Sequence, residues 1–120
     1  MRVLHERYWK LEIRRIMHRI SYKKIREFCQ RHAGAFTPLQ HWYRIVTKEI
    51  FFTFADVKRV FPRADAVGNV VVFNIGGNNY RLIAFIRYPL KRVFIRHILT
   101  HDAYNREKWK EDVWFKSSNN

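Results

Sequence analysis

Between Val70 and Tyr104 the chain reads VVVFNIGGNNYRLIAFIRYPLKRVFIRHILTHDAY, and this stretch narrows the fold more than any other. Val70–Ile75 is β-branched and apolar, and Gly76-Gly77-Asn78-Asn79 supplies residues that tolerate positive φ at a hairpin turn. Tyr80–Arg87 reads as a second strand, Tyr88-Pro89-Leu90-Lys91 as the next turn and Val93–Leu99 as a third strand. Connections this short exclude a crossover, so the three strands form an antiparallel meander.

The charges on the meander carry a second message. Residues 70–101 hold five cations (Arg81, Arg87, Lys91, Arg92, Arg96) and no Asp or Glu. A solvated sheet face normally mixes both signs, because like charges across strands repel. An all-positive sheet is most simply explained by a polyanion lying on it. The whole chain of 120 residues carries 24 Lys/Arg against 10 Asp/Glu, a net charge of +14, and residues 1–31 hold a further share of the excess, ten basic to three acidic. The partner classes are therefore nucleic acid, an acidic protein or an anionic membrane. With 48% hydrophobic and 17% aromatic residues, the chain is no disordered tail, and its length suits one domain spanning 1–120.

Ahead of the meander, apolar spacing predicts helices. Trp9, Ile13, Ile16 and Ile20 form a stripe opposite Arg7, Lys10 and Arg14, a basic amphipathic helix whose commonest fate is packing on its own core. Met17–Ser21 reads alternatively as a short strand on the sheet's edge. Ser21 is the expected N-cap of a helix bearing Ile25, Phe28, Cys29 and His32 on one side. Ala33-Gly34-Ala35-Phe36 breaks it. Thr37-Pro38-Leu39-Gln40 then combines Pro at the first helical position with a Thr-x-x-Gln capping box, and Leu39, Trp42, Tyr43, Val46 and Ile50 make the buried stripe. A short helix is expected from Thr53-Phe54-Ala55-Asp56 to Pro62, a loop over 62–69, and a final helix from Thr100–Tyr104 to about Trp109. Residues 115–120 are expected to fray. Helices first and a meander after them predict an α+β fold, an N-terminal helical hairpin packed on the antiparallel sheet with a short C-terminal helix.

Several chemistries are disfavoured. Cys29 is the single cysteine, which excludes a disulfide framework and a thiolate cluster. His97 and His101 would stand about 13 Å apart along a strand, too far to share a metal. The Gly-Gly-Asn-Asn turn lacks the Gly-Lys-Ser/Thr of a phosphate loop, and no G-x-S-x-G occurs. No signal peptide and no membrane-length apolar run is seen, so a cytoplasmic location is expected. What remains is anion chemistry. If Arg81 and Arg96 project from one side they make a two-guanidinium phosphate clamp, unless Asp56, Asp65 or Asp102 pairs with them. His101 and Tyr104 follow where the third strand ends. Metal-free RNA cleavage needs a base for the 2′-hydroxyl, an acid for the leaving 5′-oxygen and cations on the phosphorane; histidine titrates in the useful range.

The runs VVFNIGGNNYRLIAFI and VFIRHILTHDAY, with FADVKRVFPRADAVGN and HWYRIV before them, closely resemble the HigB family of type II toxin–antitoxin systems, a branch of the RelE-like ribonucleases. The likeness covers roughly Met17 to Tyr104. It implies a small α+β toxin that cuts mRNA in the ribosomal A site without metal or cofactor, and a HigA-type antitoxin with a helix-turn-helix domain as partner. By position, Asn74, Asn78 and Arg81 match a VFN-GGN–R block, Arg96 an IR element, and His101 and Tyr104 a TH–Y element. The resemblance gives Arg81 and Arg96 the phosphate, His101 a proton transfer, and Tyr104 the substrate or a second proton transfer. Lys58, Asn74, Asn78, Arg87, Lys91 and Arg92 then serve as RNA contacts. Residues 1–16 precede the usual start of the family, so Met17 is a candidate natural start. The rival reading is a non-catalytic RNA- or ribosome-binding module that needs no chemistry from His101 or Tyr104; a membrane-surface role for residues 1–20 is a third.

Overall fold

The computed structural model describes residues 21–116, so the expected N-terminal helix, its strand alternative over 17–20 and the last four residues lie outside the described part. Three helices come first: α1 (Lys23–Arg31), α2 (Phe36–Lys48) and α3 (Phe54–Val60). A four-stranded antiparallel sheet follows in sequential order, β1 (Asp65–Val67), β2 (Val70–Ile75), β3 (Tyr80–Arg87) and β4 (Arg92–Thr100). The chain then makes α4 (His101–Asn105), a 3-10 turn (Lys108–Glu111) and α5 (Val113–Lys116). This is the expected α+β architecture. No helix among the described residues is long and apolar enough to cross a membrane.

Each face of the sheet has its own core. On one, Val71, Phe73, Ile75, Leu82, Ala84, Ile86, Val93 and Ile95 meet Ile25, Phe28, Leu39, Trp42, Val46 and Val57 from the helices. Fully burying each large side chain here contributes about 1.5–3 kcal/mol, which is why the stripes on α1 and α2 decide the layering. On the other face, Val70, Val72 and Ile83 are covered by Trp109, with Phe85, Leu99, Tyr104 and Phe115 at the margins. The C-terminal segment thus lies across the sheet opposite the helices.

Local signals explain most boundaries. Thr53 caps α3 through a reciprocal box with Asp56, whose carboxylate also accepts the Phe52 N–H at 2.9 Å and the Thr53 N–H at 3.2 Å. These backbone donors, with Arg59, hold Asp56 below the usual carboxylate range.

Four expectations are corrected. Ser21 is not the cap of α1, which starts two residues later with Tyr22 at its N-cap and no side-chain bond. The Thr37–Gln40 capping box is not made: α2 begins at Phe36, and Pro38 sits within the first turn, where the amide donors have no intrahelical partner anyway. The loop expected over 62–69 contains a strand, because Gly68 (φ 59°) and Asn69 turn the chain so that Asp65, Ala66 and Val67 pair with Val72, Val71 and Val70. Phe115 and Lys116 belong to α5 rather than to a frayed end. Phe115 packs on Trp109 and lies so close to Gly68 that a Cβ there would meet its ring at 2.8 Å.

The most consequential departure is a bulge. Ile83 pairs with His97 but Ala84 pairs with Ile95, leaving Arg96 without a partner opposite it. Simple alternation would set Phe94 and Ile98 on one face, but the bulge separates them: Phe94 packs with Trp114, whereas Ile98 packs into the helix-side core. The carbonyl of the extra residue is satisfied by the Lys24 ammonium at 2.7 Å, from the adjacent helix α1.

Candidate active site and nucleic-acid interface

The β2–β3 hairpin builds the first half of the site. Gly76 and Gly77 take φ of 60° and 69°, the left-handed values that close the turn. Asn74 and Arg81 are cross-strand partners just below it. The Arg81 side chain folds back on the turn, its Nη1 donating to the Tyr80 carbonyl at 3.1 Å and the Asn78 carbonyl at 3.3 Å, its Nη2 to the Asn78 side-chain oxygen. Arg81 is only 8% exposed, and every one of these partners is neutral. Among the described residues no carboxylate neutralises it. A charge so desolvated normally has a counter-ion.

The second half comes from the end of β4. The His101 N–H donates to the Asn79 carbonyl at 3.0 Å, tying the start of α4 to the hairpin. The Thr100 hydroxyl caps α4 by accepting the Ala103 N–H at 3.2 Å. This brings Tyr104 under Arg81, with the guanidinium carbon 5.6 Å from the ring centroid. The other face of the arrangement is closed by Trp109, stacked on Tyr104 at 5.4 Å and 9°, its indole N–H donating to the Tyr104 carbonyl. His101 is half-buried, and its Nδ1 is shielded from solvent with no partner among the described residues.

Arg96 has a different environment. Its Nε and Nη2 each donate to Asp112 at 3.1 Å, and the guanidinium lies over Trp114 at 4.3 Å. Asp112 also accepts from His97 Nε2 at 2.7 Å and from the Trp114 N–H at 2.8 Å. Burial alone would raise the Asp112 carboxyl, but the hydrogen bonds from Arg96, the Trp114 amide and His97 hold it below the usual range. Burial lowers His97, and this outweighs the pull of Asp112, so the imidazole is neutral and donates its Nε2–H. The two-guanidinium clamp is therefore not formed: Arg96 pairs with Asp112, a carboxylate the sequence reading did not consider.

The remaining candidates divide. Asn74 and Asn78 adjoin Arg81. Arg87 and Arg92 are direct cross-strand partners at the far end of the same face, and the Lys91 ammonium lies 5.0 Å from the Phe52 ring centroid. Lys58 is on α3, in the helix layer, with its ammonium on the Ala64 carbonyl at 2.8 Å. Sequence reasoning missed Trp109, Asp112 and Trp114. Their signal was present as the acidic pair Glu111-Asp112 among aromatics in residues 102–120, a stretch with four acidic and four basic residues.

A helical layer on one face of a four-stranded antiparallel meander is consistent with an α+β fold of the RelE-like kind. The family model described as the HigB toxin, RelE-like toxic component of a toxin–antitoxin system, matches residues 35–107. The chain belongs to this family. It is 31% identical over 93 residues to the mRNA interferase HigB of Escherichia coli O6:H1 (strain CFT073), covering 75% of this chain and 90% of that protein. It is 28% identical over 92 residues to the mRNA interferase toxin HigB of Escherichia coli K12 and to the mRNA interferase HigB of Shigella flexneri, in each case covering 74% of this chain and 88% of the relative. As a toxin of this class it implies a cognate antitoxin.

Proposed function

We propose that the chain is an endoribonuclease that cuts mRNA by metal-independent attack of a 2′-hydroxyl on the adjacent phosphate. The observation that carries this reading is Arg81, a desolvated cation with neutral partners held against Tyr104 beside His101. A phosphate arriving there supplies the missing negative charge, and the same guanidinium meets the growing charge of the phosphorane, where preorganised donors are worth most. With Nδ1 shielded, His101 presents Nε2 for proton transfer. Tyr104 contacts the nucleotide or moves the second proton. Asn74 and Asn78 fix the hairpin and the strand entering it. Arg96, neutralised by Asp112, holds the C-terminal segment in place and leaves the phosphate to Arg81.

We further read the chain as one domain over 1–120, with residues 1–16 as an extension. It acts in the cytoplasm on translated messages at the ribosome and is neutralised by a HigA-type antitoxin bearing a helix-turn-helix domain. Induced expression with mapping of mRNA 5′ ends tests the reading, comparing the wild type with Arg81→Gln/His101→Gln. New ends in translated messages, lost in the double variant, support it. Growth arrest without new ends would favour a binding module and remove the catalytic roles.

A further inference from the structure

The far end of the sheet face carries a group of residues that this chemistry does not use. Arg87 and Arg92 stand directly opposite each other in the β3–β4 ladder, a like-charge pair that disfavours folding by itself. Neither has a carboxylate partner among the described residues. The carboxylates of the neighbouring segments are occupied, Asp112 by Arg96 and His97 and Asp56 by Arg59. Two residues further in, Phe85 and Phe94 form the next cross-strand pair on this face. Both meet Trp114 edge to face, with centroids 5.2 and 5.1 Å away. Phe85, Arg87, Val113 and Trp114 line an opening of about 370 Å³, and Val113 at its mouth is 73% exposed. That volume is at the small end of the range for small-ligand sites.

We propose that this opening is a second nucleotide subsite for the RNA strand, the base lying against Phe85 and Trp114 and its phosphate between Arg87 and Arg92. Aromatic walls offer a base a sequence-tolerant contact, and paired guanidinium groups match phosphate geometry. An aliphatic ligand would not need the arginines; a bare anion would not need the aromatic walls. Arg87 lies six residues from Arg81 on one strand, about 20 Å, or roughly six nucleotides of stacked strand and fewer if extended. The subsite thus reads a base well away from the cut. It rests on the RNA reading above but concerns binding rather than cleavage.

The test uses the full chain and a fluorescein-labelled decaribonucleotide of mixed sequence whose 2′-O-methyl groups prevent cleavage, followed by anisotropy. Val113→Glu places a carboxylate at the mouth on an exposed position that folding tolerates, and should weaken binding roughly tenfold, the low end of a lost stacking contact. Val113→Lys, equally large, should bind as well as wild type or better. Arg87→Gln/Arg92→Gln should reduce the slope of log affinity against log salt by about 0.7, the one single-strand phosphate held between them. Equal loss in Val113→Glu and Val113→Lys, an unchanged salt slope, or no binding by the wild type at low salt would each overturn the subsite. So would competition by a polyglutamate peptide as effective as unlabelled RNA, which would leave charge alone. If the wild type cuts no message yet binds the probe with these effects, the nuclease reading falls and the subsite stands. If it cuts messages and Val113→Glu binds and cuts like wild type, the subsite falls alone.

Discussion

Replacing Asp112 by alanine should destabilise the protein substantially without touching the residues assigned to chemistry. The carboxylate is 6% exposed and accepts from Arg96, His97 and the Trp114 amide, so one truncation removes the partner of a half-buried cation and releases the start of α5. Breaking a fully buried pair costs about 3–5 kcal/mol. Here the Arg96 and His97 side chains are 25% and 30% exposed, so water recovers part of the loss, and halving the figure gives about 2 kcal/mol. For a chain of 120 residues, an unfolding entropy of about 2.1 cal/mol/K per residue turns this into a fall in Tm of roughly 8 °C. Asp112→Asn keeps an acceptor but loses the charge, and should fall about half as far. Replacing both partners, Arg96→Met with Asp112→Leu, should recover most of the loss, because no charge is then stranded. Calorimetry at neutral pH reads all three. A Tm for Asp112→Ala within about 2 °C of wild type would refute the reasoning, since the pair would then contribute no more than an ordinary surface ion pair.

The other expected outcomes span chemistry, pH and packing. His101→Gln should lower the rate of message cleavage by about 10²–10⁴-fold, the range for a lost proton-transfer group, with an unchanged melting curve; full activity would remove its role. Burial holds His97 below its ordinary value, so its contribution to stability is present at neutral pH. That contribution should be lost as pH falls below the unfolded histidine value of about 6.5 toward the lower folded one, where only the unfolded chain takes the proton. His97→Gln should flatten that part of a stability–pH curve. Gly68→Ala combines a left-handed φ with a Cβ 2.8 Å from Phe115, and should cost about 1–3 kcal/mol in denaturant unfolding. Thr53→Ala removes the cap of α3 and should cost about 1 kcal/mol in the same assay.

The helical layer and the meander were legible because each rests on local rules: the stripes of α1 and α2, and β-branched runs divided by Gly-Gly-Asn-Asn and Tyr-Pro-Leu-Lys. The bulge was not legible, since Arg96 has nothing about it that marks an extra residue; only the pairing of β3 with β4 does. The failure of the clamp follows from a different cause. The absence of acids over 70–101 excludes a local partner, whereas Asp112 reaches Arg96 from 16 residues away, along a segment whose path depends on Trp109 covering Val70, Val72 and Ile83. β1 could have been read from the Gly68-Asn69 doublet between two valines, a two-residue hairpin signal outweighed by the polar residues before it. At the site, chemical type placed Arg81, His101 and Tyr104 as candidates, but their juxtaposition depends on the β3–β4 pairing, the His101 N–H bond to the Asn79 carbonyl and the Thr100 cap of α4.

The extra residue in β4 makes that strand two half-strands of opposite phase, spliced at Arg96. Phe94 and Arg92 on one side of the splice face the same way as His97 and Leu99 on the other, although simple alternation would set them apart. The stretch before the splice and the stretch that leads into His101 are therefore framed independently. Losing one residue at the splice would turn one half over relative to the other while the ladder of hydrogen bonds closed up again, exchanging a basic, aromatic surface for an aliphatic one. The strand is a phase-setting joint, and the two ends of the interface keep their common side only while the joint holds.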